Sequence, residues 1–182
     1  ITKYQEAIAK VPDCAQCYAR IGDMYMKQSK QDDAEKAYLK ATELDGGMAD
    51  AYSSLAAIYN QQKKYDQAAK MTEKVNSLAS AMGMGGDATA EFSAGAIAVN
   101  MQLTAEREGK ADVATQKMSE AMAHFQKAIQ LKPDMADAYY ELGMLYVKQN
   151  KIPEAKKALA EYVRLAPNGA NAEMAKAIAT MP

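Results

Sequence analysis

Tryptophan is absent from the 182-residue chain, histidine occurs once, and no glycine-rich phosphate loop lies between a strand and a helix. Catalysis needs several converging groups, so these shortages point away from an enzyme and imply no cofactor. The single His124 stands beside Phe125 in a helical stretch and reads as a surface or half-buried polar residue, neither a base nor a ligand. An excess of one charge is also lacking. The 22 basic residues face 23 acidic ones, the net charge is -1, and neither sign forms a long run. Nucleic acid and anionic membrane surfaces are therefore not indicated as partners. Apolar stretches are broken every few residues by Glu, Gln or Lys and fall short of the ~20 residues needed to span a bilayer. What the chain does have is 49% hydrophobic content, enough for one sizeable core or one continuous solenoid.

Internal repetition organises that content. Tyr18, Ile21, Gly22 and Tyr25 recur 34 residues later as Tyr52, Leu55, Ala56 and Tyr59, and again as Tyr139, Leu142, Gly143 and Tyr146. Each block marks a first helix. Twelve residues after each small residue a second pattern begins, as Ala34 and Tyr38, Ala68 and Thr72, and Ala155 and Leu159. A small residue on one helix lets the next approach closely, and a large residue a turn away fixes the crossing. Pro133 and Pro167 close their hairpins, and Gly46 takes that place 34 residues after Pro12.

This pattern resembles the tetratricopeptide repeat, with Tyr in place of the family's Trp. The resemblance implies an all-α fold, an α-solenoid of stacked antiparallel helix pairs in a superhelix. Repeats are expected at 15–48, 49–82 and 136–169. Residues 1–14, with Tyr4, Ala7 and Pro12, read as the second helix of a truncated preceding repeat. Residues 83–87 form a flexible connector by their glycines, with Asp87 as an N-cap. An irregular repeat with elongated helices fills 88–135, anchored on Phe92, Gly95, Ala96 and Val99 and on Ala121, Phe125 and Ala128. Counted from Ala96, this hairpin carries 13 extra residues at a tip formed by Glu108, Gly109 and Lys110, so it should project from the stack. Residues 170–182 hold a C-terminal capping helix, with Met174 and Ile178 one turn apart for burial.

Cys14-Ala-Gln-Cys17 follows Pro12 and Asp13 at a helix N-terminus, a setting that can lower a thiol pKa. In the repeat alignment Cys14 matches Met48 and Met135, while Cys17 matches Ala51 and Ala138, which gives both an apolar packing role. A local disulfide is compatible with three-residue helical spacing. Metal or redox chemistry would need further ligands or a βαβ setting, neither of which is readable here.

The family resemblance places function on the inner face lined by first helices. Aligned across units, that face carries Ala19, Ser53, Ser93 and Tyr140; Asp23, Ala57, Ile97 and Met144; Met26, Asn60, Asn100 and Val147; and Lys27, Gln61, Met101 and Lys148. Each ladder is either a solvated face or part of a groove; as a groove, with Lys27 and Lys148 among its members, amides such as Asn60, Gln61 and Asn100 could bond an extended or helical peptide backbone, and Tyr140, Met144 and Val147 make the C-terminal end apolar. Family members that clamp chaperone C-terminal carboxylates use Lys, Arg and Asn in this groove. Here the matching places hold Ala19, Asp23, Ser54, Asp137 and Glu141, whose acids would repel a carboxylate. The function expected is a protein-protein interaction scaffold with a peptide or protein ligand. The alternative is a non-catalytic accessory or assembly region of a larger enzyme or bacterial envelope protein. Self-association through Tyr4 and Ile8 of the truncated repeat is a further expectation. The resemblance also points to a bacterial extracytoplasmic setting, periplasmic or secreted.

Overall fold

The computed structural model describes residues 2–181, with side chains from Tyr4 onward except that of Gln5. Every regular element among them is α-helical. The chain divides into two compact units, residues 1–84 and 85–182. The first holds α1 (Thr2–Lys10), the pair α2 (Ala15–Lys27) and α3 (Gln31–Leu44), and the pair α4 (Ala49–Gln61) and α5 (Tyr65–Ala81). The second holds the pair α6 (Ala88–Arg107) and α7 (Ala111–Leu131), the pair α8 (Ala136–Lys148) and α9 (Ile152–Leu165), and α10 (Ala172–Ala179) packed on α9. This is the all-α solenoid class expected from the repeats.

Each first helix stops in the same way. Ser29, Lys63 and Asn150 adopt left-handed backbone with φ of 59°, 60° and 57°, and Gly109 does so at 71°. The following Lys30, Lys64, Lys110 and Lys151 amides reach back to the carbonyls of Tyr25, Tyr59, Ala105 and Tyr146 at 2.8–2.9 Å. That bond pattern satisfies carbonyls the helix end would otherwise orphan and turns the chain sharply into the second helix. At the start of α6 the Asp87 carboxylate accepts the Ala90 amide at 2.7 Å, satisfying a donor at the opposite end.

Within each pair the close approach is set by small residues on both sides. Ala34, Ala68, Ala121 and Ala155 are fully buried on the second helices. A Cβ on Gly22 would stand 2.7 Å from the Tyr38 ring, and one on Gly143 would stand 2.7 Å from Leu159. Where the first helix carries Ala56 instead, the corresponding second-helix residue is the smaller Thr72, also buried. Volume added on one helix is removed from the other, as a close-packed interior requires.

In the irregular hairpin the glycine that meets the opposing side chain is Gly95, whose added Cβ would lie 2.6 Å from Phe125. Counting from Ala96, as the sequence suggests, therefore puts α6 one residue out of register. The correction moves Ile97 off the inner face, in keeping with its burial, and aligns Asn100 with Gln61 and Lys148 rather than with Asn60 and Val147. It also accounts for the lengths: α6 has 20 residues against 13 in α8, and α7 has 21 against 14 in α9. Seven residues on each arm are nearly two turns, about 10 Å. The added turns carry their own packing at Gln102, Ala105 and Ala114, all buried. His124, solitary in the sequence, braces this hairpin through an Nδ1 contact to Glu91 Oε2 at 2.7 Å.

At the C-terminus the expected burial of Met174 does not occur. Met174 is 44% exposed, whereas Ala175 is fully buried against Leu159 and Tyr162, with Ile178 alongside. The small residue wins because α10 lies close to Tyr162, whose hydroxyl accepts the Asn171 amide at 3.3 Å.

Candidate functional site

In the first unit Gln16, Ala19, Arg20 and Asp23 fall at i, i+3, i+4 and i+7 of α2 and so share one face. The absence of a side chain at Gly22 lets the Tyr38 ring of α3 lie across α2, and its hydroxyl then donates to Asp23 Oδ1 at 2.8 Å. Asp23 Oδ2 accepts from Arg20 Nη1 at 3.1 Å. The first turn of α4 supplies Asp50 and Ala51, with Met48 just before it. Together Gln16, Ala19, Arg20, Asp23, Tyr38, Met48, Asp50 and Ala51 line a cavity of about 170 Å³.

Its electrostatics are partly locked. The Tyr38 phenol pKa is pushed up to about 12, chiefly by burial; a hydrogen bond from Ser54 works in the opposite direction, and Asp23 adds to the rise. Both Asp23 oxygens are engaged. Asp50 makes no side-chain hydrogen bond or ion pair with any described residue; it stands in the first turn of α4, where the helix dipole favours a carboxylate, and is the one charged side chain of the cavity without an opposite side chain beside it. Ala19 and Ala51 are buried and provide an apolar floor.

The residues singled out from sequence separate between the units. Lys27 lies exposed on the last turn of α2. On α4, Asn60 is half-buried, and exposed Gln61 accepts a hydrogen bond from the Gln31 side chain. The others belong to the second unit. There Asn100 and Met144 are half-buried, and Tyr140 and Val147 pack against the Leu159, Tyr162 and Ala175 cluster. The Tyr140 and Tyr162 rings lie 5.2 Å apart. Lys148 Nζ meets Glu106 Oε1 at 2.9 Å, tying α8 to the extended arm of α6. Burial, then the nearby Asp137, pushes the Glu141 carboxyl above its ordinary value.

Sequence reasoning singles out Ala19 and Asp23 but not Gln16, Arg20, Asp50 or the Tyr38 hydroxyl. The α2 stripe is visible in the helical spacing. The third wall is not, because Tyr38 reads only as hairpin packing until the ring is placed across Gly22.

Cys14 and Cys17 are joined as a disulfide with Cα atoms 5.2 Å apart, and the Cys17 amide donates to Cys14 Sγ at 3.2 Å. Both residues are half-buried. Among the described residues no group of three or more His, Cys, Asp or Glu is placed to hold a metal ion, and no helix is long and apolar enough to cross a membrane.

Comparison with known proteins agrees with this geometry. Families described as tetratricopeptide repeat match residues 1–49, 20–72 and 136–168, and one described as TPR repeat matches 109–150. The chain belongs to the tetratricopeptide-repeat family. No curated protein matches it significantly. Among solved structures, MamA from Desulfovibrio magneticus RS-1 is 17% identical with a TM-score of 0.69 over 92% of this chain and 84% of that one. A thermophilic TPR protein of Thermus thermophilus is 14% identical, with a TM-score of 0.67 over 91% and 79%. PilF of Pseudomonas aeruginosa is 16% identical, with a TM-score of 0.64 over 97% and 76%. At these identities the likeness is one of fold.

Proposed function

We propose that the chain is a non-catalytic interaction scaffold that binds an extended or helical peptide segment of a partner protein along the first-helix faces of its repeats. The observation that carries this reading is the cavity between α2 and α4, where Tyr38 and Arg20 hold Asp23 in place before any partner arrives. Groups fixed in this way need little ordering on binding, which lowers the entropic cost of association. Asp50, Ser53 and Ala57 continue one face of α4 away from the cavity, and the last two are exposed, leaving a path for a peptide backbone beside the amides of Asn60 and Gln61.

A peptide array probed with the labelled chain tests this. The native chain should capture a restricted set of peptides, and Ser53→Arg and Ala57→Arg, which fill the path without touching the core, should abolish capture. Capture that is unaffected by both substitutions, or no capture at all, contradicts the reading. Service as an assembly region within a larger enzyme or envelope protein would use the same surface. An extracytoplasmic setting is supported by the Cys14–Cys17 disulfide, since such bonds persist in oxidising compartments. Self-association through α1 is supported by a cavity of about 390 Å³ where Ile8 lies beside Tyr18, Ile21 and Tyr25. Sedimentation of native chain and Ile8→Glu would reveal it as a concentration-dependent species that the variant lacks.

A further inference from the structure

We infer that the cavity between α2 and α4 receives one basic side chain, lysine or arginine, of the bound peptide; this deepens the scaffold reading and rests on it. Size is the first reason. Small-molecule and cofactor sites run to roughly 300–1,000 Å³, and this cavity holds about 170 Å³, room for a single side chain.

Shape and chemistry narrow the choice. Within a lining that also holds Arg20, Asp23 and Tyr38, the apolar surface comes from buried Ala19 and Ala51 with half-buried Met48, whereas Gln16 and Asp50 are exposed. A guest with an aliphatic stem and a charged tip matches both, burying its methylenes while its tip stays beside the exposed polar groups. Charge sets the sign of that tip. Arg20 and Asp23 neutralise one another at 3.1 Å, and Asp23 is further held by Tyr38. The remaining charge is that of Asp50. A carboxylate guest would have to draw Arg20 from Asp23 and would face Asp50 unscreened, whereas a cation completes a pair with Asp50 and disturbs nothing.

The test is an NMR titration of the isotopically labelled full chain with the blocked amino acids N-acetyl-lysine methylamide, N-acetyl-norleucine methylamide and N-acetyl-glutamate methylamide. The lysine derivative should shift the amides of Arg20, Asp23 and Ala51 saturably. Its affinity should fall several-fold in Asp50→Asn and on raising salt, and it should be retained in Asp50→Glu. The norleucine and glutamate derivatives should leave those amides in place. The inference is overturned if lysine produces no shift there, if glutamate or norleucine binds as well, or if Asp50→Asn changes nothing. Failure here alongside specific peptide capture on the array defeats the side-chain assignment alone, whereas loss of capture defeats the scaffold reading beneath it.

Discussion

Gly95 on α6 and Phe125 on α7 meet so closely that a Cβ added to the glycine would stand 2.6 Å from the ring. Phe125 is fully buried and cannot swing away. Gly95→Ala should therefore cost stability, because overpacking costs about 1–3 kcal/mol and exceeds the ~1 kcal/mol that alanine gains over glycine in a helix. Urea denaturation of Gly95→Ala, Phe125→Leu and the double variant checks this. The double variant should be more stable than the sum of the two losses implies, and strict additivity would place the contact elsewhere.

The left-handed residues closing the first helices make a second prediction. Lys63 holds φ at 60° and Gly109 holds 71°, a conformation costing roughly 1–2 kcal/mol for most side chains and little for glycine. Lys63→Gly should raise the denaturation midpoint, and Gly109→Ala should lower it. Equal and small effects would mean that these turns relax to another geometry.

Glu141 gives a pH dependence with a definite sign. Its folded-state pKa is raised, first by burial and then by Asp137, so folding favours the neutral acid. The stability it contributes is complete below its unfolded pKa and is lost as pH rises through the folded value. Glu141→Gln should accordingly stabilise the chain at neutral pH, and the gain should shrink as pH falls toward the ordinary carboxylate range. A gain that is constant with pH would show that the carboxyl is not the cause.

Reduction of Cys14–Cys17 should matter little to the fold. The bond spans three residues, and a loop that short constrains the unfolded chain by at most about 2 kcal/mol. Replacing the pair with Met and Ala, as the other repeats have it, should leave helix content unchanged in circular dichroism. It should also leave peptide capture intact, and loss of capture from a folded variant would give the cysteines a role in the site.

The fold is legible in the sequence because its packing rule repeats. A small residue at Gly22, Ala56 and Gly143, followed at a fixed interval by Ala34, Ala68 and Ala155, is enough to specify antiparallel helix pairs. The rule becomes ambiguous where two small residues adjoin, at Gly95 and Ala96, since only the facing Phe125 decides between them. It misleads at α10, where side-chain size favours Met174 but the closeness of α10 to Tyr162 selects Ala175. The site is half legible. Periodicity brings Gln16, Ala19, Arg20 and Asp23 to one face, but the reach of the Tyr38 hydroxyl depends on a ring laid across a missing side chain, and the nearness of Asp50 depends on how α4 stacks on α3.

Partners are expected to meet the first-helix face. A photo-crosslinking residue, p-benzoylphenylalanine, is placed either at exposed Lys27 on the last turn of α2, outside the path between Asp50 and Ala57, or at exposed Lys36 on α3, and each variant is irradiated with a peptide captured on the array. Crosslinking from position 27 and none from position 36 is expected. Crosslinking from position 36 with none from position 27 would place the bound peptide on another face.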